Sequence, residues 1–210
     1  MKTIIQILLF LVAVVLTYLI YQSVQRPIDF EKARKARYDA TIQRLKDIRT
    51  AQEAFKSVYG RYTGSWDTLI NFITHDSVKN VRKIGELTDS MIEAKISERK
   101  AIEMGLIIRD TIKESVLKSL FPAGYDPNQL KYVPVKDTVA EFFLAASKVT
   151  TGSGIVVPVF EVRAHNNIIL KNLDRQLVIN LNDQRRTNEK YPGLKVGSLT
   201  EAANNAGNWE

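Results

Sequence analysis

The N-terminal part of the chain is a long apolar run. Residues Ile4 to Tyr21 are almost unbroken in their hydrophobicity, with Gln6 and Thr17 as weak polar interruptions. A helix of this length is sufficient to cross the hydrocarbon of a bilayer, and its tyrosines match the aromatic residues found at membrane interfaces. A cleaved signal peptide is the alternative, but no small-x-small cleavage motif follows the run. We therefore predict a retained single span, with the lipid bilayer as its partner through residues 4–21.

A proline follows the predicted span and indicates where the anchor ends. Pro27 has no backbone N–H and disfavours the α conformation of Arg26, so the membrane helix is expected to end or kink at this point. Asp29 is a suitable N-terminal residue for a second helix. These features divide the chain into a membrane anchor of residues 1–27 and a soluble domain of residues 28–210.

Helical periodicity dominates the next segment. From Tyr38 onward, apolar residues recur at steps of three and four, which is typical of an amphipathic helix. Gly60 is expected to end this helix in a left-handed conformation, and Ser65 to cap a short helix that follows. In one interpretation the apolar stripe packs on the protein's own sheet, and in the other it contacts a partner helix. The candidate packing or partner face consists of Ile42, Leu45, Ile48, Phe55, Tyr59 and Trp66.

The middle of the chain gives weaker signals. The sequence predicts a short strand at Val78–Ile84 and a helix that Thr88 or Asp89 caps, that continues through Met104 and that Gly105 ends. The segment from Leu106 to Leu120 alternates too loosely to decide between strand and helix. Helices are therefore expected to predominate over residues 28–121.

Short β-branched runs between turn signals characterise the last third. They predict an antiparallel sheet over residues 130–197 and a polar tail over residues 198–210, with Trp209 docked on the domain. Pro158 indicates a sheet edge or a bulge, and the TTGSG segment is expected to be a hairpin loop. The fold class is α+β: an N-terminal transmembrane helix, with a long amphipathic helix and short helices packed on a C-terminal antiparallel sheet. The candidate strands are Lys131–Val135, Val139–Val149, Ile155–Ala164, Arg175–Leu181 and Leu194–Val196.

Charge and composition add few functional signals. The formal net charge is +7, but Lys and Arg are interspersed with Asp and Glu, which favours a solvated basic surface over a nucleic-acid interface. The absence of cysteine excludes disulfides, thiolate metal sites and thiol nucleophiles. His75 and His165 have no second ligand at a metal-binding spacing, and no catalytic constellation or phosphate-binding loop is recognisable. We therefore predict a non-enzymatic protein without a cofactor, a metal or a nucleic-acid partner.

The segment from Leu45 to Ile73 resembles a known layout. A hydrophobic N-terminal helix, an amphipathic extension, a YGRYTGS turn, a short helix and an antiparallel sheet together resemble type IV pilins and pseudopilins. In that family the N-terminal helix holds subunits in the membrane and then packs them into a filament. Members of that family have a glycine before their cleavage site and a glutamate a few residues into the mature helix. Both features are missing from this chain, because no glycine precedes Gly60 and no glutamate precedes Glu31. The resemblance implies self-association or protein partners.

Three phrases are similar to a family of uncharacterised single-pass membrane proteins from Bacteroidota. They are RLKDIRTAQEAF, YGRYTGSWDTLINFI and YPGLKVGSLTEAANNAGNWE. This resemblance implies a bacterial inner-membrane protein with a periplasmic domain. The charge count indicates the opposite orientation, because only Lys2 precedes the span and five basic residues follow it closely: Arg26, Lys32, Arg34, Lys35 and Arg37.

Two functional hypotheses remain open at this point. The leading one is a membrane-anchored envelope protein that acts through protein–protein contacts in a pilin-like or secretion-type assembly. The alternative is an anchored periplasmic ligand-binding or sensor domain. The alternative requires a pocket formed by the loops around His165 to Asn167 and lined by Trp66.

Overall fold

The chain combines one long helix with short helices and antiparallel strands, which confirms the α+β class. A computed structural model describes residues 2–84, 97, 100, 104, 108–136, 139–202 and 204–210. The predicted helix from Thr88 to Met104 lies almost entirely outside the described residues. The described elements are α1 (Lys2–Tyr59), α2 (Trp66–His75), β1 (Ser77–Ile84), β2 (Ile108–Ser115), α3 (Val116–Leu120), β3 (Phe143–Thr150), β4 (Val156–His165), α4 (Asn166–Ile169), α5 (Arg175–Thr187) and β5 (Gly193–Gly197).

The chain divides into two compact units. Unit 1 contains Met1–Arg49 and Leu130–Glu210, and unit 2 contains Thr50–Gln129. Helix α1 contributes residues to both units, because it continues to Tyr59. The anchor boundary after residue 27 stays a prediction.

Helix α1 continues through Pro27. Of the predicted end or kink at this residue, the end is therefore wrong, and so is the predicted start of a second helix near Asp29, while the kink stays a prediction. Proline removes one N–H···O bond and crowds the carbonyl of Ser23, but long helical runs on both sides outweigh this local cost. A side-chain bond also bridges the proline, since Gln25 Nε2 donates to Asp29 Oδ1 at 2.9 Å.

Unit 1 contains a three-stranded antiparallel sheet in the order β3-β4-β5. The central strand β4 pairs with β3 over Val156–Arg163 but with β5 only over Glu161–His165. Pro158 therefore lies where β4 has no partner on the β5 side, which confirms the predicted edge position. Gly197 permits the close approach of β5, because its φ is +74° and a Cβ there would lie 2.2 Å from the carbonyl oxygen of Phe160.

The predicted strand Arg175–Leu181 is wrong, because this segment begins helix α5. Asp174 is the N-cap, and its Oδ1 accepts the backbone N–H groups of Gln176 at 3.0 Å and Leu177 at 3.2 Å. The last turn contains two arginines, which suit the negative end of the helix dipole. Local helix signals thus override the β-branched residues of the segment.

The predicted strand Lys131–Val135 is also wrong. A 3-10 turn occupies Pro127–Lys131, and Tyr132 forms only an isolated bridge with Glu141. Pro134 has no N–H to donate to a β ladder. Strands β3, β4 and β5 confirm the other three candidates, although β3 begins later than predicted.

The C-terminal tail docks beside β5. The backbone N–H of Asn208 donates to the Lys195 carbonyl oxygen at 3.0 Å, and the Asn208 side chain accepts the Lys195 N–H at 3.1 Å. A salt bridge joins Arg49 Nη1 to Glu210 Oε1 at 2.7 Å and links the tail to α1. Trp209 is half-buried, which confirms its predicted docking.

Unit 2 is organised around aromatic packing at the end of α1. The rings of Phe55 and Phe72 are both buried and meet edge to face at a centroid distance of 5.2 Å. Gly60 has a φ of +70°, and Ser65 accepts the N–H of Thr68, so both predicted caps are confirmed.

An antiparallel pair of strands follows α2 in unit 2. Strand β1 confirms the strand predicted at Val78–Ile84, and it pairs with β2 from Ser77↔Ser115 to Ile84↔Ile108. Within the described residues, the segment that the sequence left undecided is therefore a strand over Ile108–Ser115, followed by the short helix α3.

Candidate functional site

The first half of α1 exposes apolar side chains on all sides. Among the described residues, α1 is the one helix long and apolar enough to cross a membrane; its most hydrophobic window has a mean hydropathy of 2.7 and is 0% buried. Large apolar side chains are exposed from Ile4 to Ile28, and Phe30 is the first buried residue of the helix. An apolar surface of this extent is consistent with a single membrane span or a signal anchor.

The second half of α1 is built into the fold. Of the six residues in the candidate packing or partner face, the buried ones are Leu45, Ile48 and Phe55, the half-buried ones are Ile42 and Trp66, and Tyr59 is 50% exposed. Tyr59 donates from Oη to Asp76 Oδ2 at 2.5 Å. Burial of a large aliphatic side chain contributes about 1.5–3 kcal/mol, so the buried members hold the helix in place.

A buried polar network attaches α1 to the rest of unit 1. Tyr38 Oη donates to Asn166 Oδ1 at 2.5 Å, Asn166 Nδ2 donates to Asn182 Oδ1 at 2.9 Å, and Asn182 Nδ2 donates to Asn167 Oδ1 at 2.9 Å. Burial raises the pKa of Tyr38, although the nearby cation of Arg185 opposes this effect. The network therefore keeps Tyr38 a neutral donor and fixes α4 and α5 against α1.

Arg37 adds a second connection between α1 and the end of α4. Its Nη1 donates to the carbonyl oxygens of Lys171 at 2.6 Å and Ile169 at 3.2 Å. Carbonyl groups at a helix C-terminus lack intrahelical donors and attract cations. The contact therefore satisfies these carbonyl groups and positions the loop between α4 and α5.

His165 has a structural role at the start of α4. Its Nδ1 accepts the backbone N–H of Asn167 at 3.1 Å. Burial, together with the cation of Arg186, lowers the pKa of His165. Asn167 lines an open groove of about 380 Å³, whereas Trp66 lies in unit 2.

A groove of about 420 Å³ lies between α1 and the start of α5. Leu19 in its wall belongs to the apolar run, and Arg26 belongs to the polar continuation of the same helix. The groove therefore spans the change from apolar to polar surface along α1. The lining residues are Leu19, Gln22, Ser23, Arg26, Pro27, Asp174, Gln176 and Leu177.

The outer edge of β3 is a second exposed feature of unit 1. No described strand pairs with β3 on the side away from β4. Ser147 and Lys148 on this strand are exposed, and so are Ile155 and Val156 at the end of the hairpin. Unpaired edge strands present free backbone donors and acceptors, and they are sites where other chains add a strand.

Comparison with protein-family models, with curated proteins and with solved structures finds no match. The resemblances to pilins and to the Bacteroidota family therefore stay predictions. Within the described residues, no group of three or more His, Asp or Glu side chains is placed to hold a metal ion.

Sequence reasoning missed the amide side chains that attach α1 to α4 and α5. Asn166, Asn167 and Asn182 have no periodic or motif signal, because their partners come together only in the folded chain. Asp174 did carry a signal, since an acidic cap before a segment that ends in two arginines is typical of a helix.

Proposed function

We propose that this protein is a non-enzymatic, membrane-anchored envelope protein that acts through protein–protein contacts in a pilin-like or secretion-type assembly. Its setting is the bacterial inner membrane, with a single pass and a periplasmic domain. The observation that carries the proposal is α1 itself, because one helix holds an exposed apolar segment and continues into the cores of the folded units.

The attachment of α1 to unit 1 supports a role in which the membrane span holds the folded unit close to the bilayer. Its side chains from Phe30 to Ile48 are buried at helical intervals, and Tyr38 and Arg37 bond to α4. A span attached in this way restrains unit 1 near the bilayer more closely than a flexible linker does. Such a restraint suits a protein whose neighbours lie in or beside the same membrane.

The edge of β3 supports a protein partner over a small ligand. The strand has eight residues and contains no proline, while Lys148 provides a single edge charge. Addition of a strand from a second copy or from another envelope protein would pair the free backbone groups of β3. We therefore assign the partner contact to this edge.

Cysteine crosslinking in native membranes tests the proposal. The chain contains no cysteine, so Ser147→Cys introduces a unique thiol on the exposed face of β3. We expect a short bis-maleimide to give an adduct of defined mass, either with a second 23.8 kDa copy that also carries the cysteine or with one envelope protein that has its own.

Ser57→Cys is the matched control, because Ser57 is also exposed but lies on α1, where the backbone is paired within the helix. We expect no defined adduct from this position. Equal adducts from both positions, or none from Ser147→Cys in membranes that retain the protein, would contradict an assembly role for the edge of β3.

A further inference from the structure

The groove between α1 and α5 has a fixed place relative to the apolar segment. Leu19 in its wall belongs to the run from Ile4 to Tyr21, and Arg26 lines the same groove seven residues later. At 1.5 Å per residue this separation is about 10 Å along the helix axis. The headgroup layer on each side of the hydrocarbon is about 5–8 Å thick. A bilayer crossed by α1 therefore places its headgroups at the level of this groove.

The charges around the groove suit a negatively charged headgroup. Arg26 is exposed on α1 in this groove. Lys171 and Arg175 are exposed and line the second groove, of about 380 Å³, which also reaches the first turn of α5. Asp174 is the one carboxylate among the described residues of the wall, and its Oδ1 already accepts two N–H groups from the first turn of α5. The local balance therefore favours an anion.

Apolar side chains complete the groove. Leu19 and Leu177 line it, and Leu173 and Ile179 add partly exposed apolar surface beside Arg175 in the adjoining groove. A phospholipid at this depth presents a charged phosphate next to the apolar start of its acyl chains. The combination of cations and leucines matches both parts of that molecule.

We propose that this groove binds the headgroup of an anionic phospholipid of the bilayer that α1 crosses. The inference rests on the membrane anchor of the proposed function. It adds a specific lipid contact, because Arg26 approaches the headgroup from α1 while Lys171 and Arg175 approach it from the α4–α5 segment. Unit 1 is then held to the membrane surface at two places instead of one.

Native mass spectrometry of the full chain in nanodiscs tests the lipid contact. The nanodiscs contain phosphatidylcholine and phosphatidylglycerol, and the measurement is the ratio of the two lipids retained on the protein. We expect retained phosphatidylglycerol to be enriched, and we expect Arg26→Gln/Arg175→Gln to reduce this enrichment about 25-fold, because each of the two cations near the surface contributes about a factor of five.

Arg186→Gln/Lys190→Gln is the matched control. It removes the same charge from exposed positions at the other end of α5 and beyond it, and we expect the enrichment to persist. Equal losses in the two double variants would show that general surface charge holds the lipid, and the groove proposal would be overturned. Retention of both lipids in their bulk ratio by the wild type would also overturn it.

A label in the span separates failure of the groove from failure of the anchor. Leu11→Cys with an environment-sensitive fluorophore is expected to be quenched by spin-labelled acyl chains in every variant, because Leu11 lies in the middle of the apolar run. Loss of quenching at Leu11 would overturn both the anchor and the groove. Normal quenching without phosphatidylglycerol enrichment would overturn the groove alone.

Discussion

Single residues decide how α1 joins unit 1. Thr41, Leu45 and Ile48 are fully buried, and Tyr38 bonds to Asn166 within the same interface. A buried amide without a hydrogen-bond partner lowers the free energy of unfolding by about 1–3 kcal/mol. Removal of one member of the network would therefore also destabilise the fold through the partner that it leaves unpaired. The apolar members of this interface were predictable from helical periodicity. The amides were not, because short polar side chains give no spacing signal before the chain folds.

The environment of His165 makes the stability of the fold depend on pH. The pKa of His165 is lowered in the folded protein by burial and by the Arg186 cation, so the unfolded chain takes up a proton first as the pH falls below about 6.5. Stability is therefore present above this pH and decreases below it. Protonation of Nδ1 would also remove the acceptor for the Asn167 N–H. We expect a lower free energy of unfolding at about pH 5.5 than at about pH 7.5, with a small slope because His165 is partly exposed.

Chemical denaturation of the full chain in detergent, followed by tryptophan fluorescence, measures this slope. His165→Asn keeps a capping acceptor that does not titrate, and we expect it to flatten the pH dependence. His75→Asn is the control and is expected to retain the wild-type slope. A slope that is identical in the wild type and in His165→Asn would contradict the assignment.

For the helices and strands, capping residues predicted the type of element more reliably than the content of β-branched residues did. Gly60 and Ser65 predicted the end of α1 and the start of α2 correctly, because Gly60 adopts a left-handed backbone conformation and the Ser65 side chain accepts a backbone N–H of the first turn. The segment RQLVINL was predicted as a strand from its Val and Ile content, although Asp174 precedes it and provides a helix cap. The three apolar positions Leu177, Val178 and Leu181 also follow helical spacing. A seven-residue window is too short to show this, whereas the 13-residue helix is clear.

Pro27 shows that a long helix can continue through a proline, although proline disfavours the helix interior. Proline in a helix interior lowers the stability of the helix by about 3 kcal/mol relative to alanine. The 58-residue helix persists because its other interactions outweigh this local cost. We expect Pro27→Ala to restore the bond to the Ser23 carbonyl and to stabilise the helix locally. Hydrogen exchange of the full chain in nanodiscs is expected to slow about tenfold or more over residues 23–31.

Val24→Ala is the control for Pro27→Ala, because it shortens an exposed side chain in the same turn without changing a backbone donor. We expect its exchange rates to match those of the wild type. If Pro27→Ala also leaves these rates unchanged, the proline imposes no local opening cost on α1.

At the scale of the whole molecule, the two signals for orientation disagree. Five basic residues lie within 16 positions after the apolar run, and Lys2 is the one basic residue before it. The positive-inside tendency acts on short flanking segments during insertion, whereas long domains are translocated largely regardless of their charge. More than 180 residues follow the apolar run, so translocation of the C-terminal part is physically permitted. The fold itself is compatible with either side.

Reporter fusions after Glu210 test the proposed periplasmic orientation. The Glu210 side chain, which is exposed and bonded to Arg49, remains available in such a fusion. We expect alkaline phosphatase at this position to be active and green fluorescent protein to be dark, because the first enzyme requires export and the second protein requires a cytoplasmic setting to fold. A membrane-impermeant maleimide should also label Ser147→Cys once the outer membrane is permeabilised, and the same reagent should leave a cysteine placed before Lys2 unlabelled. The reversed pattern in both assays would mean that the basic cluster after the span sets the topology, and the partner of the β3 edge would then have to be cytoplasmic.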